Sequence, residues 1–196
     1  VPTRVPLQPV RHLNECAANL LEQGRAALRV NNQPLTLEEF IRAAYAAHVP
    51  VVGVCFGHQI IAQAMGGKVQ KYEGGWSVGP TDYDFAGEKF TLNAWHQDQV
   101  TEKPEMAQVI ATTDFCANAG LLYDDRMFTV QPHPEFKREF MDGLIKYRGP
   151  GLVPDEILAD ATRKLDTKLD SPTMADRIAR FFLDHQAKTG AEKLRA

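Results

Sequence analysis

The stretch that most constrains this 196-residue chain lies between residues 49 and 67. Val49, Val51, Val52 and Val54 make a β-branched run of strand length, broken only by Pro50 and Gly53. Cys55-Phe56-Gly57-His58 follows at once. From Gln59 onward Ile60, Ile61, Ala64 and Met65 fall at helical spacing, and Gly66-Gly67 stops the pattern. A buried strand that turns sharply into a helix belongs to a sheet covered by helices. It also puts one cysteine on the turn.

Gly53-Val54-Cys55-Phe56-Gly57 has the G-x-nucleophile-x-G form of a nucleophile elbow. A nucleophile on such a turn is held in a strained backbone geometry, and small residues two positions either side let the backbones pass closely. The positive end of the following helix favours the reactive thiolate. The Phe56 N–H is positioned to meet a developing oxyanion. A lone cysteine in an apolar run is more often a packing residue, but the flanking glycines and the strand-turn-helix context favour the elbow. Cys16 and Cys116 have neither feature and read as packing residues.

A nucleophilic thiol needs a base, and the base needs an orienting group. Met127-Phe128-Thr129-Val130-Gln131 reads as a strand that runs into Pro132-His133-Pro134-Glu135. His133 is the candidate base and later the proton donor to the leaving amine; Glu135 would hold its tautomer and stabilise its cation. Alone, His-Pro-Glu also fits a stiff turn with a solvated carboxylate. Two strand ends, one with Cys55 and the other with His133 and Glu135, meet at one sheet edge if the strands run parallel.

Elsewhere the periodicity predicts a helix over 13–30 and another over 37–48, the latter opened by a Thr36-Leu37-Glu38-Glu39 capping box. Strands are expected over 69–72, 77–85, 90–95, 107–112 and 120–123, then helices over 137–147, 154–169 and 172–186. Residues 1–187 read as one domain, with 188–196 a polar, frayed tail. The order predicts an α/β fold: an open sheet flanked by helices, with additional strands and C-terminal helices.

The two motifs together, Gly53 to Gln59 and Val130-Gln131-Pro132-His133-Pro134-Glu135-Phe136, resemble those of the class I, triad-type glutamine amidotransferases. The likeness runs over about 37–183. It is strongest to stand-alone members similar to the glutaminase domain of GMP synthase, a group that includes plant γ-glutamyl peptidases. It implies a flavodoxin-like sheet and hydrolysis of the glutamine side-chain amide through a γ-glutamyl thioester, with Cys55, His133 and Glu135 as the triad. Gln59 matches the elbow-helix glutamine that contacts the amino-acid end of the substrate. Ala94-Trp95-His96-Gln97-Asp98 matches the segment that holds that end, with Trp95 and Gln97 where the family has small residues. His58 and His96 read as structural histidines, and Tyr72-Glu73-Gly74-Gly75-Trp76 as either pocket mouth or glycine-rich hairpin. Residues 1–33 do not match the family's opening strands. The glycine-bearing loop that supplies a second oxyanion donor is not recognisable there, since Gly24 is the single glycine before Gly53 and falls within the expected helix.

Composition narrows the partners. With 44% hydrophobic residues, 24% charged residues and a net charge of −3, nothing draws the chain to nucleic acid or a membrane. No apolar run reaches the roughly 18–20 residues of a membrane span, and Val1-Pro2-Thr3-Arg4 lacks a secretion pattern. Three unclustered cysteines and six scattered histidines predict a reducing, cytoplasmic setting with no metal and no cofactor. The expected ligand is glutamine or a γ-glutamyl small molecule. Ammonia transfer would call for a separate synthetase subunit, γ-glutamyl peptide hydrolysis for none, and a non-catalytic subunit that keeps the fold is the third reading.

Overall fold

The computed structural model describes residues 28–30 and 33–193. Most of the helix expected over 13–30, together with Cys16 and Gly24, lies outside them. The last three residues of that span are not helical. Strand β1 (Leu28–Val30) pairs antiparallel with β2 (Gln33–Leu35), which takes up backbone groups that a helix ending before Pro34 would leave open.

Helix α1 (Leu37–Ala46) opens on the expected capping box: the Glu39 N–H donates to Thr36 Oγ1 at 3.2 Å, and the Thr36 N–H donates to Glu39 Oε2 at 2.7 Å. The next strand, β3 (Val51–Val54), begins two residues after the valine run does. The Val49 N–H still donates to the Ala44 carbonyl, and Pro50 has no N–H to give a ladder. Helix α2 (Phe56–Ala64) then starts immediately after Cys55.

Beyond α2 come β4 (Lys68–Lys71), β5 (Ser77–Phe85), β6 (Glu88–His96), β7 (Asp98–Glu102), β8 (Gln108–Ala111), β9 (Gly120–Tyr123) and β10 (Met127–Val130). The central sheet has the order β3-β10-β9-β8, with β3 and β10 parallel and the other pairs antiparallel. Alternation along its strands builds two cores. Val51, Leu121, Tyr123 and Met127 face Ile41 and Ala44 of α1 and Ile61 and Ala62 of α2. Val52, Val54, Leu122, Phe128 and Val130 face the other way, onto Tyr83, Phe85, Phe90 and Leu92 of the β5–β6 hairpin and onto Met174, Ile178 and Phe181 of a C-terminal helix. The architecture is mixed α/β, an open sheet flanked by helices, and one of its faces also carries a β-hairpin.

The sequence pattern missed β7. It pairs antiparallel with β4, yet Asp98-Gln99-Val100-Thr101-Glu102 has one apolar side chain and so no hydrophobic alternation. Gln99 is buried because its Nε2 donates to the Phe115 carbonyl at 3.1 Å. Helices α3 (Arg138–Tyr147), α4 (Asp155–Arg163) and α5 (Ser171–Lys193) complete the described chain. α4 stops six residues before the expected Leu169. Leu165 turns into a third core with Met141, Ile145 and Val78, while Asp170 is pinned to β6: its N–H donates to the Thr91 carbonyl and its carboxylate accepts the Thr91 N–H at 2.8 Å. α5 in turn continues past residue 188, where a frayed tail was expected, to Lys193.

Candidate active site

Cys55 leaves the end of β3 with φ 49° and ψ −103°, a conformation that side chains rarely adopt and that costs about 1–3 kcal/mol. Three contacts hold it there. Its N–H donates to the Val130 carbonyl on β10, and its own carbonyl accepts the Gln59 N–H, the first helical bond of α2. Gly53 supplies the third: a Cβ on it would lie 2.7 Å from the carbonyl carbon and oxygen of Gly57. Only glycine lets β3 and the first turn of α2 approach so closely. A Cβ on Gly57 would meet nothing within 4 Å, so the two elbow glycines are not equivalent. The N–H groups of Phe56, Gly57 and His58 have no intrahelical acceptor, and with the helix dipole they make a positive end beside Cys55.

The parallel partner strand brings the second group. β10 pairs with β3 in register, Val130 beside Val54, and the chain beyond it passes through Gln131 and Pro132 to His133. The His133 N–H donates to the Asn93 carbonyl on β6 at 2.8 Å, and its ring stacks on Phe136 with centroids 3.8 Å apart and planes 7° from parallel. His133 Nδ1 lies 2.7 Å from Glu135 Oε1. A carboxylate only accepts, so Nδ1 carries a proton and the other ring nitrogen is left for a different partner. Burial alone would lower the His133 pKa; the bonds to Cys55 and Glu135 outweigh it and push it up to about 9.

Cys55 opens into a pocket of about 400 Å³. Gln59, Trp95 and Gln97 all line it, as do Lys71, Trp76 and Asp98. Trp76 and Trp95 meet edge to face with centroids 6.1 Å apart. Of the two readings of 72–76 the pocket one fits, since Trp76 forms a pocket wall; the segment is a turn, closed by the Gly75 N–H on the Tyr72 carbonyl, and not a hairpin, because β4 pairs with β7 and β5 with β6. A larger cleft of about 680 Å³ lies beside Glu135, Phe136 and Phe140, but Cys55 is not among its walls.

His58 and His96 are structural in their bonding. His58 is fully buried with Nδ1 2.8 Å from Thr129 Oγ1. That hydroxyl donates to the Leu121 carbonyl, so it accepts from the ring. Burial pushes the His58 pKa down to about 3 and that of His96 to about 4, so both are neutral at pH 7. His96 Nδ1 lies 3.2 Å from the Asp98 carbonyl at the β6–β7 corner. Cys116 packs in the second core, where burial pushes its thiol up to about 12.

One residue at the site went unread in the sequence. Gln131 is fully buried, with Nε2 3.5 Å from Cys55 Sγ and Oε1 3.1 Å from Gln59 Nε2. The signal available was an amide at the end of an otherwise buried strand. Gln59 itself is more constrained than a simple substrate contact, because its Nε2 already donates to Gln131 and, at 2.8 Å, to the Asp98 carbonyl. Only its Oε1 remains to face a ligand. Among the described residues no group of three His, Cys, Asp or Glu is poised to hold a metal ion, and no helix is long and apolar enough to cross a membrane.

The family model for glutamine amidotransferase class-I matches residues 31–145. A glutamine amidotransferase-like protein of Schizosaccharomyces pombe is 30% identical over 146 residues, 70% of this chain and 59% of that protein. Gamma-glutamyl peptidase 2 of Arabidopsis thaliana is 33% identical over 124 residues, 57% of this chain and 50% of that protein. The chain thus spans between half and three fifths of these two relatives. A crystal structure of a glutamine amido transferase from Methylobacillus flagellatus superposes with a TM-score of 0.60 at 24% identity, over 79% of this chain and 72% of that one, a likeness of fold.

Proposed function

This chain belongs to the class I glutamine amidotransferase family, and from that premise we propose that it hydrolyses the side-chain amide of glutamine through a γ-glutamyl thioester on Cys55. One observation carries the reading. β3 and β10 are parallel and in register, so Cys55 and the His133–Glu135 pair leave the sheet at the same edge. A cysteine, an imidazole held by a carboxylate and a helix N-terminus are the parts that acyl transfer requires.

With its pKa near 9, His133 holds a proton at neutral pH, and the sulfur of Cys55 attacks the amide carbon beside the positive end of α2, which favours the thiolate. The oxyanion that forms is met by the Phe56 N–H at the start of α2. Collapse breaks the C–N bond, and His133 gives its proton to the departing amine. The ring, now neutral, takes a proton from water as the water oxygen attacks the thioester. Glutamate leaves and the thiolate–imidazolium pair is restored. Glu135 keeps Nδ1 protonated throughout and stabilises the cation. The pocket walled by Trp76, Trp95, Gln97 and the free Oε1 of Gln59 would take the amino-acid end of the donor.

A second reading, hydrolysis of γ-glutamyl peptides, is favoured by the 33% identity to the Arabidopsis peptidase. Both use the same triad and differ in the leaving amine. In the first, ammonia would go to a separate synthetase subunit; in the second, no partner is needed. The test is glutamate release from glutamine and from γ-glutamyl dipeptides, by the parent chain and by Cys55→Ala. Preference for one donor chooses between the readings. If a diazoketone analogue of glutamine leaves Cys55 unlabelled in the folded protein, neither hydrolysis stands and the chain is a non-catalytic member of its family.

A further inference from the structure

Resting on the reading of Cys55 as the nucleophile, we infer that Gln131 is a further catalytic residue, whose side-chain N–H holds the Cys55 sulfur as the thiolate, with Gln59 as the residue that positions it.

The argument begins with a backbone carbonyl. The oxygen of Asp98 can only accept, so the end of the Gln59 side chain that faces it at 2.8 Å is the NH₂ group. The same nitrogen lies 3.1 Å from the Gln131 side chain, and the atom it meets there must be the carbonyl oxygen. The other end of Gln131 is therefore NH₂, and it lies 3.5 Å from Cys55 Sγ. One carbonyl thus dictates the orientation of two amides, which density or packing alone leaves ambiguous. Neither amide is free to rearrange. Gln131 is fully buried and Gln59 nearly so, and the Gln131 N–H is tied to the Ala119 carbonyl at 2.8 Å.

A donor aimed at sulfur discriminates between its states. A thiolate accepts a hydrogen bond far better than a neutral thiol does, because donor bonds to ionised groups are roughly twice as strong as neutral ones. The sulfur of a thioester carries no such charge. The Gln131 contact is thus strongest before attack and again when water expels the thiolate, and weakest in the acylated enzyme. Gln131 and His133 lie two residues apart on the segment that leaves β10, and Gln131 meets the sulfur without a proton to lose. The relay Asp98–Gln59–Gln131–Cys55 also joins the nucleophile to the β6–β7 corner, whose Gln97 and Asp98 line the pocket. The alternative is that the two amides only satisfy each other in the interior.

The test reads the thiolate without any substrate, so its outcome is separate from that of glutamine hydrolysis. Thiolate absorbance at 240 nm is followed against pH, and iodoacetamide alkylation of Cys55 is followed by peptide mapping. In Gln131→Met, which keeps length and volume but has no donor, the acid side of both profiles moves up by about one pH unit, so alkylation on that side slows about tenfold. Gln59→Met moves it in the same direction by less, because its partner amide can then turn. Unchanged profiles in a folded Gln131→Met protein would overturn the assignment. Should that variant fold poorly, the parent protein answers by NMR. The Gln131 side-chain amide signal is expected to titrate together with the thiolate absorbance, and an amide signal indifferent to that titration would overturn it equally.

Discussion

Gly53 and Gly57 look interchangeable in the elbow motif, but the structure assigns them opposite responses to the same substitution. In Gly53→Ala the new Cβ lies 2.7 Å from two backbone atoms of Gly57 and 2.8 Å from Ile61 Cδ1. Carbon atoms pack at about 3.5–4.0 Å, so the first turn of α2 must retreat from β3 by roughly 1 Å. The Ile61 methyl can turn aside; the Gly57 peptide cannot without moving the helix. Overpacking of this kind costs about 1–3 kcal/mol. The same displacement carries Cys55 and the Phe56 N–H away from His133, and a misplacement of about 1 Å at a reacting centre costs on the order of 10²-fold in rate. Gly57→Ala meets open space and lies within a helix, where alanine is favoured over glycine by up to about 1 kcal/mol. Urea unfolding gives both stabilities provided the slope is unchanged, and glutamate release gives the rate for Gly53→Ala. A Gly53→Ala protein as stable and active as the parent would refute the close-approach argument, as would a Gly57→Ala protein destabilised to the same degree.

Two further outcomes follow from the same geometry. Cys55→Gly removes the strain of a side chain at φ 49°, about 1–3 kcal/mol, against a glycine entropy cost of about 0.5–1 kcal/mol. The inactive variant should therefore gain about 1 kcal/mol, and Cys55→Ala, which keeps a Cβ, should not; equal unfolding midpoints for the two would count against strain at the elbow. Glu135→Gln removes one of the two groups that hold the His133 pKa at about 9, so the alkaline limb of kcat/KM should move to lower pH. The sign for stability is fixed as well. A histidine raised above 6.5 contributes stability that is complete below about 6.5 and lost as pH rises through about 9. The stability gap between parent and Glu135→Gln is thus widest near pH 6 and closes above pH 9, and a gap that widens with pH would show that Glu135 does not stabilise the imidazolium.

Where the sequence was legible, a local rule was enough. The Thr36–Glu39 capping box, the 77–85 and 120–123 strands and the turn at Cys55 each follow from residues within a few positions of one another. Where it was not, distant residues decided. α4 ends early because Leu165 and Asp170 are claimed by a core and by β6, and β7 exists because β4 and Phe115 satisfy its polar groups. Propensity cannot register such partners.

The same division runs through the candidate site. Glycine spacing and strand periodicity are properties of consecutive residues, so they already place Cys55 on a strand-to-helix elbow and His133 and Glu135 after a second strand. Contacts in three dimensions alone make β3 and β10 parallel neighbours in register, crowd Gly53 where Gly57 is free, and join Gln59 and Gln131 in one oriented relay to the sulfur. Each of those depends on atoms 4 to 76 positions apart in the chain, and a hydrogen bond or a steric contact is set by distance in space rather than by order in sequence.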